Sequence, residues 1–372
     1  MGEKGLADVV AAETAISDID GRLGKLWYVG FDIDDLARLS TFEETVFLLH
    51  HQRLPDREEL EELTAWLVEE RELDRWLHGL MPTLGEVSSP MSMLRTSVSA
   101  ASAYDPDGWD QSAEANLRKA LRLVARFPTM IAAYHRLRTN QDPVDPNPKL
   151  PHAANFLFML TGEEPDEELA RAFDVCLILH ADHTMNASTF VARVVASTLS
   201  DMHSAITAAI AALKGPLHGG ANEAVHRMLE EIEDVDAVEP YIQDLLGRKQ
   251  KIMGFGHRVY KGEDPRAAHL RRLSRELGQR SGDTRWYDLS ERIEKVVQDE
   301  KGLSPNVDFY AASVYHALGI PIDLMTCVFA ASRVTGWTAH VREQLADNRL
   351  IRPESEYIGP RNQRYVPIED RG

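Results

Sequence analysis

Between Lys251 and Arg266 the chain sets Gly254 and Gly256 beside a histidine (His257), followed by the cations Arg258, Lys261 and Arg266 and an Asp264-Pro265 turn, within a single short stretch. Glycines beside a histidine let the backbone come close to a ligand, since no side chain intervenes. Cations just beyond suit phosphate or carboxylate, Arg as a planar fork and Lys as a point charge. The stretch therefore reads either as a meeting point of an anionic ligand with a titratable group, or as a basic surface loop before a helix.

Further polar residues stand where apolar ones are expected. His180, His183 and Asn186 recur at intervals of three, on one face of a helix if the apolar periodicity of 165–198 runs unbroken. Satisfied core histidines and ligand contacts are both open readings. Two histidines one turn apart can also ligate zinc, but the third ligand and adjacent carboxylate base of a zinc-hydrolase helix are missing, so no metal is expected. His218 sits in GPLHGGAN, between glycines, just after one helical pattern ends and before the next begins. The positive end of a helix there discourages protonation and keeps the imidazole neutral. Asp308, in PNVDFY, is a lone carboxylate opening an apolar helix, either a cap or a base. Arg333 (SRVTGW), Arg349 and Arg352 (NRLIRP) add further carboxylate or phosphate donors.

The elements that must position these groups are almost wholly helical. Residues 14–31 alternate apolar and polar around Asp20-Gly21 and predict a β-hairpin. Beyond it, apolar residues recur at i, i+3, i+4 over 42–54, 56–81, 89–104 and 113–140. Pro128 predicts a kink or split in the last of these. The pattern resumes over 165–198, 201–215, 221–232, 239–251 and 304–347 with short breaks. The fold class is all-α with a small N-terminal hairpin.

With 372 residues the chain is long enough for two domains, or one large domain with an inserted lobe. A net charge of −18 argues against nucleic acid or an anionic membrane as partner, so an anionic substrate must be held by local cations. No apolar run is long enough to span a bilayer, and no secretory signal is visible. The two cysteines, Cys176 and Cys327, lie in apolar strings far apart and make no disulfide framework. A cytoplasmic location is the expectation.

Taken together the strings LHADHTMNASTF, GPLHGGANEAV, MGFGHRVYKGEDPRA, PNVDFY, SRVTGW and NRLIRP resemble the citrate synthase family, in its order and spacing. The opening ISDIDGRLGKLWYVG resembles the family's start, and the length resembles the shorter bacterial and archaeal forms. The resemblance implies condensation of acetyl-CoA with oxaloacetate, then hydrolysis of the citryl thioester to citrate and CoA. It implies that Asp308 takes the methyl proton, His218 bonds the thioester oxygen and His257 polarises the ketone. It places His183, Asn186, Arg266 and Arg333 at oxaloacetate, with Arg352 reaching the site of a neighbouring subunit and Arg349 close enough to compete for that assignment. Met253, Gly254, Phe255, Gly256, Arg258, Lys261 and Asn306 fall where the family holds CoA. No tightly bound cofactor is implied; acetyl-CoA is a co-substrate. The implied architecture is a large helical domain (1–217 and 319–372), a small one (218–318) that closes over substrate, and a homodimer. Thr184-Met185 depart from many relatives, which bears on pocket shape.

The chemistry agrees with the residues. A thioester methyl is a weak carbon acid, so a carboxylate base needs an oxygen-directed donor and a dry site. 2-Methylcitrate synthase, acting on propionyl-CoA, would use the same residues, and one methylene is worth only about 1–3 kcal/mol of discrimination. A metal hydrolase using His180, His183 and His218, or a non-catalytic helical scaffold, are the readings from other classes.

Overall fold

The computed structural model describes residues 5–6, 9–84 and 88–371. A three-stranded antiparallel sheet opens it: β1 (Ser17–Asp20), β2 (Lys25–Tyr28) and β3 (Phe31–Asp32), in that order. The hairpin is thus present, with a four-residue tip and a short third strand added.

Sixteen α-helices follow among the described residues. The first seven are α1 (Ile33–Leu39), α2 (Phe42–His51), α3 (Arg57–Glu69), α4 (Arg75–Thr83), α5 (Pro90–Ala101), α6 (Ala113–Arg138) and α7 (His152–Thr161). Next come α8 (Glu167–His180), α9 (Ala187–Ser197), α10 (Met202–Leu213), α11 (Ala221–Glu231) and α12 (Val238–Gly247). The chain ends with α13 (Pro265–Ser281), α14 (Arg285–Lys301), α15 (Val307–Ala317) and α16 (Met325–Ala346). No helix among the described residues is long and apolar enough to cross a membrane.

Local chemistry sets many of the boundaries. Thr41 with Glu44, and Asp56 with Glu59, form capping boxes at α2 and α3. Ser89 caps α5 with Pro90 in its first turn, and Asp264-Pro265 does the same for α13. Three expectations change. The 56–81 pattern splits into α3 and α4. Pro128 leaves α6 unbroken: it is buried within a helix packed along α16, and that packing outweighs one lost backbone hydrogen bond. The 165–198 pattern breaks into α8 and α9, so His183 and Asn186 lie between helices and do not share a helical face with His180.

The organising element is α16, buried along most of its length and packed against α6, α9, α10, α8, α2 and α5. Gly336 lets it press on the α8–α9 connection: a Cβ there would stand 2.4 Å from both the Ala181 carbonyl and the Asp182 carboxylate. Helices α11 to α15 pack chiefly with one another, α13 on α15 most extensively.

Candidate active site

Three backbone irregularities carry the polar residues. The first is the break after α8. Thr184 adopts φ +48°, an unusual value for a β-branched residue. It is held there by Ser17 Oγ and Asp182 Oδ2, each 3.1 Å from its N–H. Asp182 is fully buried, accepts from Ser17 Oγ and lies 3.3 Å from His340 Nε2. Tyr28 Oη donates to the Asp182 carbonyl at 2.9 Å, which ties the sheet to the same turn. Asn186 then caps α9, its Oδ1 accepting from Thr189 N–H at 3.1 Å.

The second is the turn before α11. His218 Nε2 lies 2.8 Å from Ser188 Oγ and accepts from the Ser188 backbone N–H at 3.3 Å. An amide can only donate, so the proton of this imidazole is assigned to Nδ1. Trp337 Nε1 donates to Ser188 Oγ at 3.0 Å and fixes that hydroxyl. Ser188 was not singled out from sequence, because nothing there shows that position 188 faces position 218. Ser188→Ala is expected to cut kcat/KM roughly tenfold, the scale of lost orientation, and to lower the melting temperature by a few degrees because the buried Trp337 N–H loses its acceptor. Equal kcat/KM values would remove this orienting role.

The third is the loop from Met253 to Asp264. Gly254 has φ +80°, and a Cβ there would lie 2.8 Å from both Phe309 and Val225, so only glycine fits. Asn306 N–H donates to the Gly254 carbonyl at 2.8 Å and Asn306 Nδ2 to the Gly256 carbonyl at 3.0 Å. Gly256 N–H bonds the Ser304 carbonyl at 3.0 Å, and the Phe255 ring packs tilted against Phe309 with centroids 4.5 Å apart. The His257 loop and the start of α15 are thereby stitched together. His257 Nδ1 accepts from Val259 N–H (3.0 Å) and Tyr260 N–H (3.2 Å), which assigns its proton to Nε2. Arg258 and Lys261 are exposed on the same loop, and Met253 is half-buried beneath it.

Asn306, rather than Asp308, caps α15, accepting from Asp308 N–H at 3.0 Å, and this leaves the Asp308 carboxylate free. Asp264 is buried and holds Arg266 through Nε (2.9 Å) and Nη2 (2.7 Å), while its Oδ2 also accepts from Val307 N–H at 3.1 Å. Arg333 is buried, donates from Nε to the His180 carbonyl at 2.7 Å and lies over the Phe329 ring.

These groups converge. His183 and His257 are edge to face with ring centroids 5.2 Å apart, and His183 Nε2 is 3.2 Å from Tyr260 Oη. Arg266 bears on the charge of His183, His257 and Asp308, and Arg333 on that of His183, His218 and Asp308. Burial pushes Asp308 up to about 6, with Arg266 opposing. Burial pushes His218 and His257 down to about 4, so both are neutral at physiological pH. It carries His183 well below its ordinary value too, and Arg333 down to about 10. His180 lies behind, its Nδ1 bonded to the Cys176 carbonyl at 2.7 Å. Arg349 and Arg352 stand apart, exposed on the segment after α16. Among the described residues no three His, Cys, Asp or Glu side chains are grouped to hold a metal ion; His180, His183 and His218 each face a different partner.

A mainly helical chain that gathers a carboxylate raised to about 6, two neutral imidazoles of opposite tautomer and two buried guanidiniums is equipped as an acid–base enzyme for an anionic substrate. The family model described as citrate synthase, C-terminal domain, matches residues 5–354. Citrate synthase 2 of Bacillus subtilis is 52% identical over 370 residues, with 99% of each chain covered. Citrate synthase of Haloferax volcanii is 50% identical over 375 residues, again covering 99% of each. The structure of Thermoplasma acidophilum citrate synthase in ternary complex with carboxymethyl coenzyme A and oxaloacetate superposes with a TM-score of 0.93 at 34% identity, covering 99% of both chains. The chain belongs to the citrate synthase family.

Proposed function

We infer that Asp308, His218 and His257 carry out the citrate synthase reaction of this chain, the condensation of acetyl-CoA, oxaloacetate and water to citrate and CoA at the entry of the tricarboxylic acid cycle. Above about pH 6 Asp308 is ionised and removes a methyl proton from the thioester. His218 Nδ1–H donates to the thioester oxygen as enol character develops, without adding a full charge. The enol carbon attacks the ketone of oxaloacetate, whose oxygen receives the Nε2 proton of His257. Water then cleaves the citryl thioester. His183, Asn186, Arg266 and Arg333 hold oxaloacetate; Arg266 spends Nε and Nη2 on Asp264 and keeps Nη1 for the ligand. Met253 to Gly256, Asn306, Arg258 and Lys261 line the CoA side, the two exposed cations suited to phosphate. The observation that supports this most is the pair of tautomers, fixed by backbone N–H groups so that each imidazole presents its proton on the side away from its own anchor.

We further propose that 1–217 with 319–372, and 218–318, form two lobes that close on oxaloacetate, and that the enzyme is a cytoplasmic homodimer. The segment after α16 supports the dimer: Ile358 and Tyr365 are 94% and 78% exposed, apolar surface that a second copy would cover, and Arg352 lies on the same segment. A monomer in sedimentation at assay concentration would remove the role of Arg352 in a neighbouring site.

A free-thiol assay with acetyl-CoA and propionyl-CoA in parallel, each with and without oxaloacetate, tests the reaction. Thiol release should require oxaloacetate, and kcat/KM for acetyl-CoA should exceed that for propionyl-CoA by at least about tenfold, the worth of one methylene in a fitted pocket. A ratio below one would make the enzyme a 2-methylcitrate synthase, and release without oxaloacetate a thioesterase.

A further inference from the structure

The tip of the N-terminal hairpin lies directly on the loop that carries His257. Asp20 Oδ1 accepts from Arg22 N–H (2.8 Å) and Leu23 N–H (2.9 Å), which draws the tip into a tight turn. The Gly21 carbonyl then accepts from Lys261 N–H at 2.9 Å. A Cβ at Gly21 would stand 2.2 Å from the Val259 carbonyl oxygen and 2.8 Å from its carbon; both are backbone atoms and cannot rotate aside. At Gly24 the same construction meets the Glu263 carbonyl at 3.0 Å. Tip and loop are in contact backbone to backbone.

Two consequences follow from what each partner is tied to. The peptide groups beside this contact are the ones that orient His257, since Val259 and Tyr260 donate to its Nδ1. The hairpin, for its part, is fastened to the other half of the oxaloacetate pocket: Ser17 Oγ bonds Asp182, and Tyr28 Oη bonds the carbonyls of Asp182 (2.9 Å) and Ile178 (3.1 Å). One small sheet therefore touches both the turn holding His183 and the loop holding His257.

We propose that Gly21 is a positioning residue: the hairpin tip is the seat on which segment 257–263 docks when the lobes close, and its lack of a side chain is what lets the His257 loop reach its working position. The inference rests on the two-lobe reading above. Gly21 is not in the left-handed region, so alanine there strains no backbone and acts only by crowding. Gly30 is the complement. It has φ +84° in the turn between β2 and β3 with nothing within 4 Å of a Cβ, so alanine there strains that turn without touching the loop.

The experiment compares full-length wild type, Gly21→Ala and Gly30→Ala by steady-state kinetics, thermal unfolding and small-angle scattering with and without oxaloacetate. If crowding leaves about a tenth of the molecules able to close, KM for oxaloacetate rises about tenfold in Gly21→Ala. Its melting temperature should stay near wild type, and its contraction on adding oxaloacetate should weaken. Gly30→Ala should lose melting temperature and keep its KM. Equal KM rises in the two variants would mean that hairpin integrity alone matters, and an unchanged KM in Gly21→Ala would mean that the seat does not exist; either overturns the proposal. So does failure of Gly21→Ala to fold, because a contact made on closing is not needed for folding. Wild type that does not contract with oxaloacetate refutes the two-lobe reading itself, a result distinguishable from wild type that contracts alongside an unaltered Gly21→Ala.

Discussion

Replacing Asp308 by asparagine is expected to lower kcat by about 10²–10⁴, the range for removal of a positioned general base, while making the protein more stable. The two effects share one cause. Burial raises this carboxyl to about 6, from an ordinary value of 3.8, because the site disfavours its charge. A group raised in this way contributes its stability at low pH, and that contribution is lost as pH rises from about 4 through about 6. At pH 7.5 the ionised side chain therefore costs the fold at most about 3 kcal/mol, reduced because residue 308 is only half-buried. Asparagine removes the charge and that cost, so its melting temperature at pH 7.5 should exceed the parent's by a few degrees and the gain should vanish near pH 4. In the wild type, log(kcat/KM) should fall with unit slope below about pH 6. His218 and His257 stay neutral down to about pH 4, so that limb belongs to Asp308. Rates across pH 5–8 with scanning calorimetry decide the matter; an Asp308→Asn enzyme within tenfold of wild type would mean another group takes the proton.

Asp264→Asn should do the opposite to stability and damage substrate binding as well. The Asp264 carboxylate is 1% exposed and is the partner of the Arg266 guanidinium, itself 2% exposed. Removing one member of a buried ion pair strands the other, which costs about 3–5 kcal/mol. The same carboxylate accepts from Val307 N–H, so the start of α15 loosens as well. Denaturant midpoints should fall accordingly, and KM for oxaloacetate should rise as Arg266 leaves its fixed orientation. The pH limb supplies an independent sign: Asp264 raises Asp308 while Arg266 lowers it, so losing the Asp264 charge should move the limb to lower pH. A limb that shifts upward, or an unchanged denaturation midpoint, would count against this arrangement.

Much of this site was legible because the sequence marks it with residues that have few structural uses. His218 and His257 stand among glycines, Asp308 and Arg266 beside helix starts, and the Arg266 or Arg333 guanidinium bears on the charge of each of the three titratable groups. What escaped is of another kind. Ser188, Asp182 and Tyr260 act by bonding groups that are remote in sequence, as Asp264 does toward Val307, and a polar residue's partner is not encoded in its neighbours. The break at 181–186 was hidden because apolar spacing continues across it, and only the left-handed Thr184 and the Asn186 cap reveal it. Pro128 misled in the other direction: its local preference to break α6 is real, but burial along α16 prevails.

The stitching of the Gly254–Gly256 backbone to Ser304–Asn306 has a mechanical corollary. The loop of the proposed ketone-polarising imidazole and the helix start of the proposed base are joined as passengers on one carriage, while the thioester-directed imidazole, at the first residue of the proposed small lobe, is held to Ser188 of the large one. Hydrogen bonds to backbone carbonyls thereby tie the His257 loop to the helix start that carries Asp308. On the two-lobe reading proposed above, a single hinge angle governs whether the machine is armed, and a molecule that wedges that angle would silence proton removal without touching any of the three groups.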